Sequence, residues 1–229
     1  MKIRIGIVLV VAAGFVFASC SKLQNDNVLA TSNCSSCHGS VMNPAPPPDP
    51  AGNTATSFPG VGAHQVHLSG STFASKVACS ACHVVPESIG PGIHPGGMRA
   101  VTLVAFSGVA LTQTNTPGTR FYDSTMATIV PQPTFNDSTL KCSNTYCHGN
   151  FKGGNNFSPT WTAVDGSQDS CGSCHGIPPN DAAHRGKNIT LQQCYLCHSP
   201  MIDQNGVIVE NSMHVTGKLV LYGKTVSAW

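Results

Sequence analysis

The stretch Cys171-Gly-Ser-Cys174-His175, followed after eighteen intervening residues by Cys194-Tyr-Leu-Cys197-His198, decides how this chain folds. In each unit two cysteines stand three positions apart, and a histidine directly follows the second cysteine. This spacing is typical of covalent haem attachment, in which the two thiols add to the vinyl groups of the porphyrin and the histidine binds the iron. Each unit therefore predicts one haem c with a proximal histidine ligand.

Three further units of this kind lie upstream, two compact and one stretched. The stretched unit has four residues between Cys142 and Cys147, and His148 follows. Five of the 10 histidines thus directly follow a cysteine, whereas chance would place fewer than one of them there. The predicted attachment cysteines are Cys34, Cys37, Cys79, Cys82, Cys142, Cys147, Cys171, Cys174, Cys194 and Cys197. The predicted proximal ligands are His38, His83, His148, His175 and His198. We expect five haems c, or four if Cys142 and Cys147 form a disulfide instead.

Two other kinds of site use closely spaced cysteines. A Cys-x-x-Cys pair is also half of a zinc site, but zinc does not require a histidine directly after the second cysteine of every pair. A disulfide framework would need strained rings between cysteines that are only three positions apart. Covalent haem is therefore the preferred interpretation of the pattern.

The remaining histidines equal the predicted haems in number. They are His64, His67, His94, His184 and His214, and we expect each to be the distal ligand of one iron. A second histidine closes the last open position of the iron, so that the site exchanges electrons and takes no substrate. Methionine is the alternative distal ligand. The chain offers Met42, Met98, Met126, Met201 and Met213, which the supply of histidines makes unnecessary.

The positions of these histidines indicate which haem each one serves. His64 and His67 are three positions apart, so they share one face if the segment forms a helical turn, and we expect them to bind the first two haems. His94 precedes a long stretch without histidine and could serve the haems on either side of it. His184 and His214 lie after the fourth motif, so we expect them to bind the C-terminal haems.

Residues 1–19 have the pattern of an export signal. Lys2 and Arg4 precede an apolar run, which is too short to span a membrane, and small residues follow it. Cys20 belongs to no haem motif, and its surroundings match a bacterial lipobox, in which the cysteine is lipidated. Ordinary cleavage that leaves Cys20 as a spare thiol is the alternative, although a free thiol is a liability in an oxidising compartment. We expect an outer-membrane lipoprotein that faces the periplasm or the cell surface, with residues 20–33 as a lipidated tether.

Beyond the tether, the sequence predicts a multihaem cytochrome c fold of mostly irregular loops with short helices and a few short strands. Aromatic residues make up only 7% of the chain, so stacked covalent haems are expected to form the core. We predict an N-terminal lobe with two haems at 34–98, a haem-free segment of strands and loops at 99–141, and a C-terminal lobe with three haems at 142–229. Strands are predicted at 101–106, 125–130 and 215–222, where β-branched and apolar residues recur.

The charge of the chain argues against nucleic acid as a partner. The whole sequence has 12 Lys and Arg against 10 Asp and Glu, but Lys2 and Arg4 lie in the predicted signal. The mature polypeptide is therefore formally neutral, and the propionates of the haems would make the holoprotein acidic.

Five segments together carry a resemblance to a known family. In chain order they are Gly62-Ala-His-Gln-Val-His, Ala81-Cys-His-Val-Val-Pro, Cys142-Ser-Asn-Thr-Tyr-Cys-His-Gly, Cys171-Gly-Ser-Cys-His-Gly-Ile-Pro-Pro and His214-Val-Thr-Gly-Lys. From about Cys34 to Lys218, this order resembles the CxxxxCH/CxxCH family of multihaem c-type cytochromes of Geobacter and related metal-reducing bacteria. The resemblance implies electron transfer at the cell surface or in the periplasm, and some related cytochromes polymerise into conducting filaments. The long haem-free middle and the proline-rich run at 44–50 depart from the family pattern.

These observations favour an electron-transfer cytochrome rather than an enzyme. The expected partners are redox proteins or extracellular acceptors such as metal oxides, the membrane through the lipid anchor, and further copies of the chain in a filament. The alternative function is a multihaem reductase of the nitrite or sulfite kind, which needs one open haem in a pocket of basic or aromatic residues. Arg99, Arg120 and Arg185 form no evident cluster in the sequence, so the reductase is the weaker hypothesis.

Overall fold

The computed structural model describes residues 39–40, 43, 45–85, 104–114 and 128–226. The predicted signal, Cys20, the first haem motif and His94 lie outside these residues. The described residues all belong to one compact unit. Within the described ranges, no helix has the length and apolar character that a membrane span requires. The division of residues 34–229 into lobes stays a prediction.

Regular structure is sparse among the described residues, as the sequence predicts. The α-helices are α1, His64–Ser69, and α2, Tyr195–His198. The strands are β1, Thr134–Asn136, β2, Lys141–Ser143, β3, Leu219–Leu221, and β4, Lys224–Val226. Single turns of 3₁₀ helix occur at Cys79–Ala81, Gly108–Leu111, Tyr146–His148, Leu191–Gln193 and Asn211–Met213. The predicted loop-rich class is confirmed, while a core of stacked haems stays a prediction.

The first hairpin leads directly into the stretched haem motif. Strands β1 and β2 pair antiparallel, with Thr134 opposite Ser143 and Asn136 opposite Lys141. The side-chain oxygen of Asn136 accepts from the backbone N–H groups of residues 138 and 139, which turns the chain back. Because β2 contains Cys142, the hairpin fixes the first thiol of the stretched motif.

The second hairpin lies near the C-terminus. Strands β3 and β4 pair antiparallel around Tyr222 and Gly223, which have φ values of 50° and 73°. Two residues with positive φ form the turn that best matches the twist of a hairpin. The strand predicted at 215–222 is therefore confirmed only over Leu219–Leu221, because Val215 and Gly217 have φ values of 55° and 76° and interrupt the extended chain.

The strands predicted in the middle of the chain are wrong where the structure describes them. Residues 104–106 are not a strand, because the backbone N–H of Ala105 donates to the carbonyl of Cys82 and that of Ser107 to Ala81. The segment at 125–130 retains one isolated bridge, between Thr114 and Ile129. The backbone at 105–107 thus bonds to the second haem motif, and Ile129 bonds to Thr114.

Helix α1 is held between two loops that are distant in sequence. Gln65 donates from Nε2 to the carbonyl of Pro46 at 2.6 Å and accepts from the Asn43 side chain. On the other side, Nε1 of Trp161 donates to the carbonyl of Pro59 at 2.8 Å. These contacts fix the direction in which α1 presents its two histidines.

The buried core of the described residues is small. Its apolar members are Ala45, Val61, Ala63, Ala81, Ala110, Tyr146, Ile202 and Val220. Half of these side chains are alanines, which bury little apolar surface each. A polypeptide with such a core needs another source of buried surface, and the haem motifs indicate where it lies.

Candidate haem sites

Two compact motifs close into a single helical turn. At Cys79 and at Cys194, the backbone N–H of the histidine four residues later donates to the carbonyl of the cysteine at 2.9 Å. Residues four apart on such a turn share one face. The first thiol and the imidazole of each motif therefore emerge on the same side, as attachment to one haem requires.

The stretched motif accommodates its extra residues by folding them inward. Asn144 adopts left-handed backbone with a φ of 57°, which asparagine tolerates well. Thr145 and Tyr146 follow with only 3% and 4% of their surface exposed. A 3₁₀ turn at Tyr146–His148 then presents the histidine. The bulge expected in this motif is confirmed at Asn144.

Every proximal histidine that the structure describes faces one predicted distal histidine. The ring centres are 6.1 Å apart for His83 and His64, 6.2 Å for His148 and His67, 6.3 Å for His175 and His214, and 6.1 Å for His198 and His184. An imidazole nitrogen binds a metal at roughly 2 Å and the ring centre lies about 1 Å behind it, so two imidazoles on opposite sides of one iron have centres roughly 6 Å apart. The four pairs therefore have the spacing of bis-histidine ligation.

The two rings of a pair differ in their relative rotation from site to site. The planes are nearly parallel in two pairs, at 16° for His64 and His83 and 19° for His184 and His198. In the other two pairs they are nearly perpendicular, at 80° for His67 and His148 and 79° for His175 and His214. We call these the parallel pairs and the perpendicular pairs.

Hydrogen bonds fix the tautomer of most of these rings. The Nδ1 atoms of five histidines lie 2.5 to 2.9 Å from backbone carbonyls, in the contacts His64 with Val61, His67 with Ala63, His175 with Gly176, His198 with Val220 and His214 with Phe73. A carbonyl oxygen only accepts, so Nδ1 must carry the proton. The lone pair of Nε2 is then free to bind a metal, which is the usual arrangement of ligating histidines.

Burial keeps several of these rings neutral. It lowers the pKa of His148 to about 4, with a smaller contribution from the neighbouring His67. Burial also lowers the pKa of His198 and of His214. Neutral imidazole is the form that binds metal, so these surroundings favour ligation at neutral pH.

The thiols of the stretched motif are protonated in these surroundings. Burial is the main reason that the pKa of Cys142 rises to about 11 and that of Cys147 to about 12. Zinc binds thiolates, which a raised pKa disfavours. All eight cysteines that the structure describes are free of disulfides, and no three His, Cys, Asp or Glu side chains converge on a metal position within the described ranges. This part of the chain offers paired imidazoles beside protonated thiols, which is the donor set of haem c.

A cavity of about 690 Å³ connects the sites of the last three motifs. It is lined by motif residues, namely Cys142, Cys147, His148, Cys171, Cys174, His175, Cys194, Cys197 and His198. The distal histidines His67, His184 and His214 also line it. The attachment thiols and both members of three histidine pairs thus border one continuous space. The residues present fit covalently bound haem.

The structure differs from the sequence expectation for His67. We expected His64 and His67 to serve the first two haems, but His67 faces His148 of the third motif. The reason is that α1 presents its two histidines to different neighbours, His83 on one side and His148 on the other. His184 and His214 face C-terminal motifs, as expected.

Several predicted site residues lie outside the described ranges. They are Cys20, Cys34, Cys37, His38 and His94. Of the alternative methionine ligands, Met201 and Met213 are described and line the cavity, but histidines face the proximal rings there.

Sequence reasoning missed Trp161, which contacts both histidines of α1. Its ring centre lies 4.8 Å from that of His64 and 5.7 Å from that of His67. Gly62 makes room for the indole, since a Cβ at this position would lie 2.0 Å from Nε1 of Trp161. Trp161 belongs to no motif of the sequence, so this contact could be found only from the fold.

Sequence reasoning also missed Asp181, whose carboxylate contacts the ring of His184. Both carboxylate oxygens lie close to Nδ1, at 2.8 and 2.9 Å. The spacing of three residues between an aspartate and a distal histidine is a signal that could have indicated this contact.

No curated protein and no solved structure matches this chain. Residues 141–175 match the family described as the Geobacter CxxxxCH...CXXCH motif, which covers the stretched motif and the compact motif after it. The resemblance expected from the sequence is confirmed over these residues, where the chain is similar to a family of CxxCH-type multihaem cytochromes.

Proposed function

We propose that this protein is an electron-transfer cytochrome that binds five haems c, each between two histidines. The observation that carries the proposal is the set of four proximal–distal histidine pairs, all with ring centres 6.1 to 6.3 Å apart. Four nearly equal separations between a proximal and a distal histidine support a common role for the four pairs. A haem bound in this way supplies reversible exchange of one electron at its iron.

The residues of the chain restrict the sites to electron exchange. An imidazole on each side of the iron leaves no position for a substrate, so the pairs oppose catalysis at these four sites. On this basis we propose that the protein is not an enzyme.

The histidines also bring the sites close together. His64 and His67 lie on the single turn α1 and face different motifs, and Trp161 contacts both rings. The sites of the second and third motifs are thus joined by α1 and the Trp161 indole. A shared cavity borders the sites of the third, fourth and fifth motifs. Close spacing of redox centres supports a relay rather than isolated sites.

The fifth pair follows by elimination. Four distal histidines face four proximal ones in the described residues, which leaves His94 for His38 of the first motif. Both residues lie outside the described ranges, so this pair is part of the proposal.

We also propose that Cys20 carries lipid and anchors the protein to the outer membrane, facing the periplasm or the cell surface. Its partners would be redox proteins or extracellular acceptors such as metal oxides, and self-association into a filament is compatible with this function. The lipobox pattern before Cys20 supports the lipid anchor.

The mass of the mature protein and its ferric spectrum together test the proposal. We expect the mass of five covalent haems plus acyl chains, and a spectrum that is low-spin throughout and unchanged by carbon monoxide after reduction. A Cys20→Ala variant controls for the acyl chains and should be released from membranes. A mass with four haems would assign Cys142 and Cys147 to another role. A high-spin ferric signal in the intact protein would contradict bis-histidine ligation and favour a reductase.

A further inference from the structure

One histidine pair has a charged hydrogen-bond acceptor. Nδ1 of His184 donates to the carboxylate of Asp181, with both oxygens within 2.9 Å. Five other histidines, His64, His67, His175, His198 and His214, bond through Nδ1 to neutral backbone carbonyls. The two side chains are only 20% exposed, so solvent screens their interaction incompletely. The pair of His184 and His198 is therefore electrostatically distinct.

The local chain holds this carboxylate in place. Oδ1 of Asp181 also accepts from the backbone N–H groups of Ala183, at 2.8 Å, and of His184, at 3.1 Å. The backbone N–H of Arg185 donates to the carbonyl of Asp181 at 2.8 Å. The aspartate thus closes the turn that carries the histidine, and its contact with the ring is built into the backbone.

We propose that Asp181 is a positioning residue that lowers the reduction potential of the haem attached at Cys194 and Cys197, acting through His184. This inference rests on the proposed function, because it takes His184 as the distal ligand of that haem. It adds a feature that sets this haem apart from its neighbours.

The direction of the effect follows from charge. Reduction adds one electron to the iron and so removes one unit of positive charge from a site that lies close to the carboxylate. A nearby negative charge stabilises the more positive, oxidised state. A carboxylate that accepts the Nδ1 proton also makes the imidazole a stronger donor, which favours the oxidised iron as well. Both effects lower the potential.

Asp181→Asn is the sharpest test in the holoprotein. Asparagine keeps Oδ1 for the backbone N–H groups of the turn and removes the charge. In a spectroelectrochemical titration, we expect one of the five components to shift to a more positive potential while the other four stay in place. Asp203→Asn is the matched control, because Asp203 likewise closes a turn by accepting from the backbone of Asn205 and Val207, and its hydrogen bonds involve no histidine. It should shift no component.

Asp181→Glu separates charge from geometry. We expect it to recover at least part of the wild-type potential, because it restores a carboxylate within reach of the ring. An unshifted titration curve for Asp181→Asn would overturn the inference, and so would a glutamate variant that behaves like the asparagine variant. If either result is obtained but the wild-type protein carries the haems and is low-spin throughout, only the inference about Asp181 fails and the proposed function stands. Failure of that spectrum would instead count against the function itself.

Discussion

The parallel pairs and the perpendicular pairs differ although they use the same ligands at the same spacing. The contrast is sharpest on α1, where His64 belongs to a parallel pair and His67 to a perpendicular pair. The helix that carries the distal ligand therefore does not set the angle. Nδ1 of His64 is bonded to the carbonyl three residues earlier, and Nδ1 of His67 to the carbonyl four residues earlier. The two distal rings thus bond to different carbonyls, and together with the rotation of each proximal ring this gives two kinds of site on one short helix.

Removal of one distal histidine from a parallel pair or from a perpendicular pair should change the ferric spectrum more than any other substitution considered below. Rings in parallel planes give a rhombic ferric signal in electron paramagnetic resonance, whereas perpendicular rings give a strongly anisotropic one, because the ligand planes orient the iron orbitals. We expect His64→Ala to lose intensity from the rhombic signal and His67→Ala from the strongly anisotropic signal. Each should gain a high-spin signal from one haem.

The two variants control each other, because both remove one imidazole from the same helix. Loss from the same signal in both variants would contradict the assignment of the pairs. The wild-type spectrum should contain both kinds of low-spin signal.

Gly62→Ala should disturb one pair of each group at once. The new Cβ would clash with the Trp161 indole, because it would lie only 2.0 Å from Nε1. This indole contacts both histidines of α1. Overpacking of this kind costs about 1–3 kcal/mol. We expect a lower free energy of unfolding in denaturant and a change in both low-spin signals.

Gly52→Ala is the control for backbone strain. Gly52 has a φ of 85°, while Gly62 has a φ of 39°, and no atom lies within 4 Å of a Cβ built on Gly52. Both alanines suffer the strain of a positive φ, but only Gly62→Ala meets the indole. Equal losses of stability in the two variants would contradict the clash.

Trp161→Phe should change the stability and the spectrum least among these variants. It keeps an aromatic ring beside His64 and His67 and removes the hydrogen bond from Nε1 to the carbonyl of Pro59. A hydrogen bond of this kind contributes about 1 kcal/mol. We expect a small decrease in the free energy of unfolding, with both low-spin signals retained. Disappearance of either signal would mean that the indole itself holds a ligand in place.

The local features of the sites could be predicted from the sequence, because short spacing determines them. The three-residue interval places His64 and His67 on one face if the segment is helical, and α1 is such a helix. The turn at Asn144 follows in the same way from the four residues between two cysteines. Such features depend on backbone geometry over a single turn.

The partners of those features could not be predicted, because contacts between distant segments decide them. His67 and His148 are 81 positions apart, and no periodicity in the sequence links them. The apolar residues at 104–106 fit a strand by composition, but the backbone N–H of Ala105 donates to the carbonyl of Cys82 in the second motif. Where a chain has little regular structure, long-range hydrogen bonds replace strand pairing, and composition does not reveal them.

The inward fold of the stretched motif has a consequence for how the protein is made. Tyr146 is 4% exposed, and burial raises the pKa of the adjacent Cys147 thiol to about 12. A thiol with so high a pKa is almost wholly protonated at neutral pH, and the protonated form is a poor nucleophile. Once the chain has folded, this cysteine can no longer add readily to a vinyl group. We therefore expect haem to attach at this motif more readily before the chain has folded around Cys147 than after it.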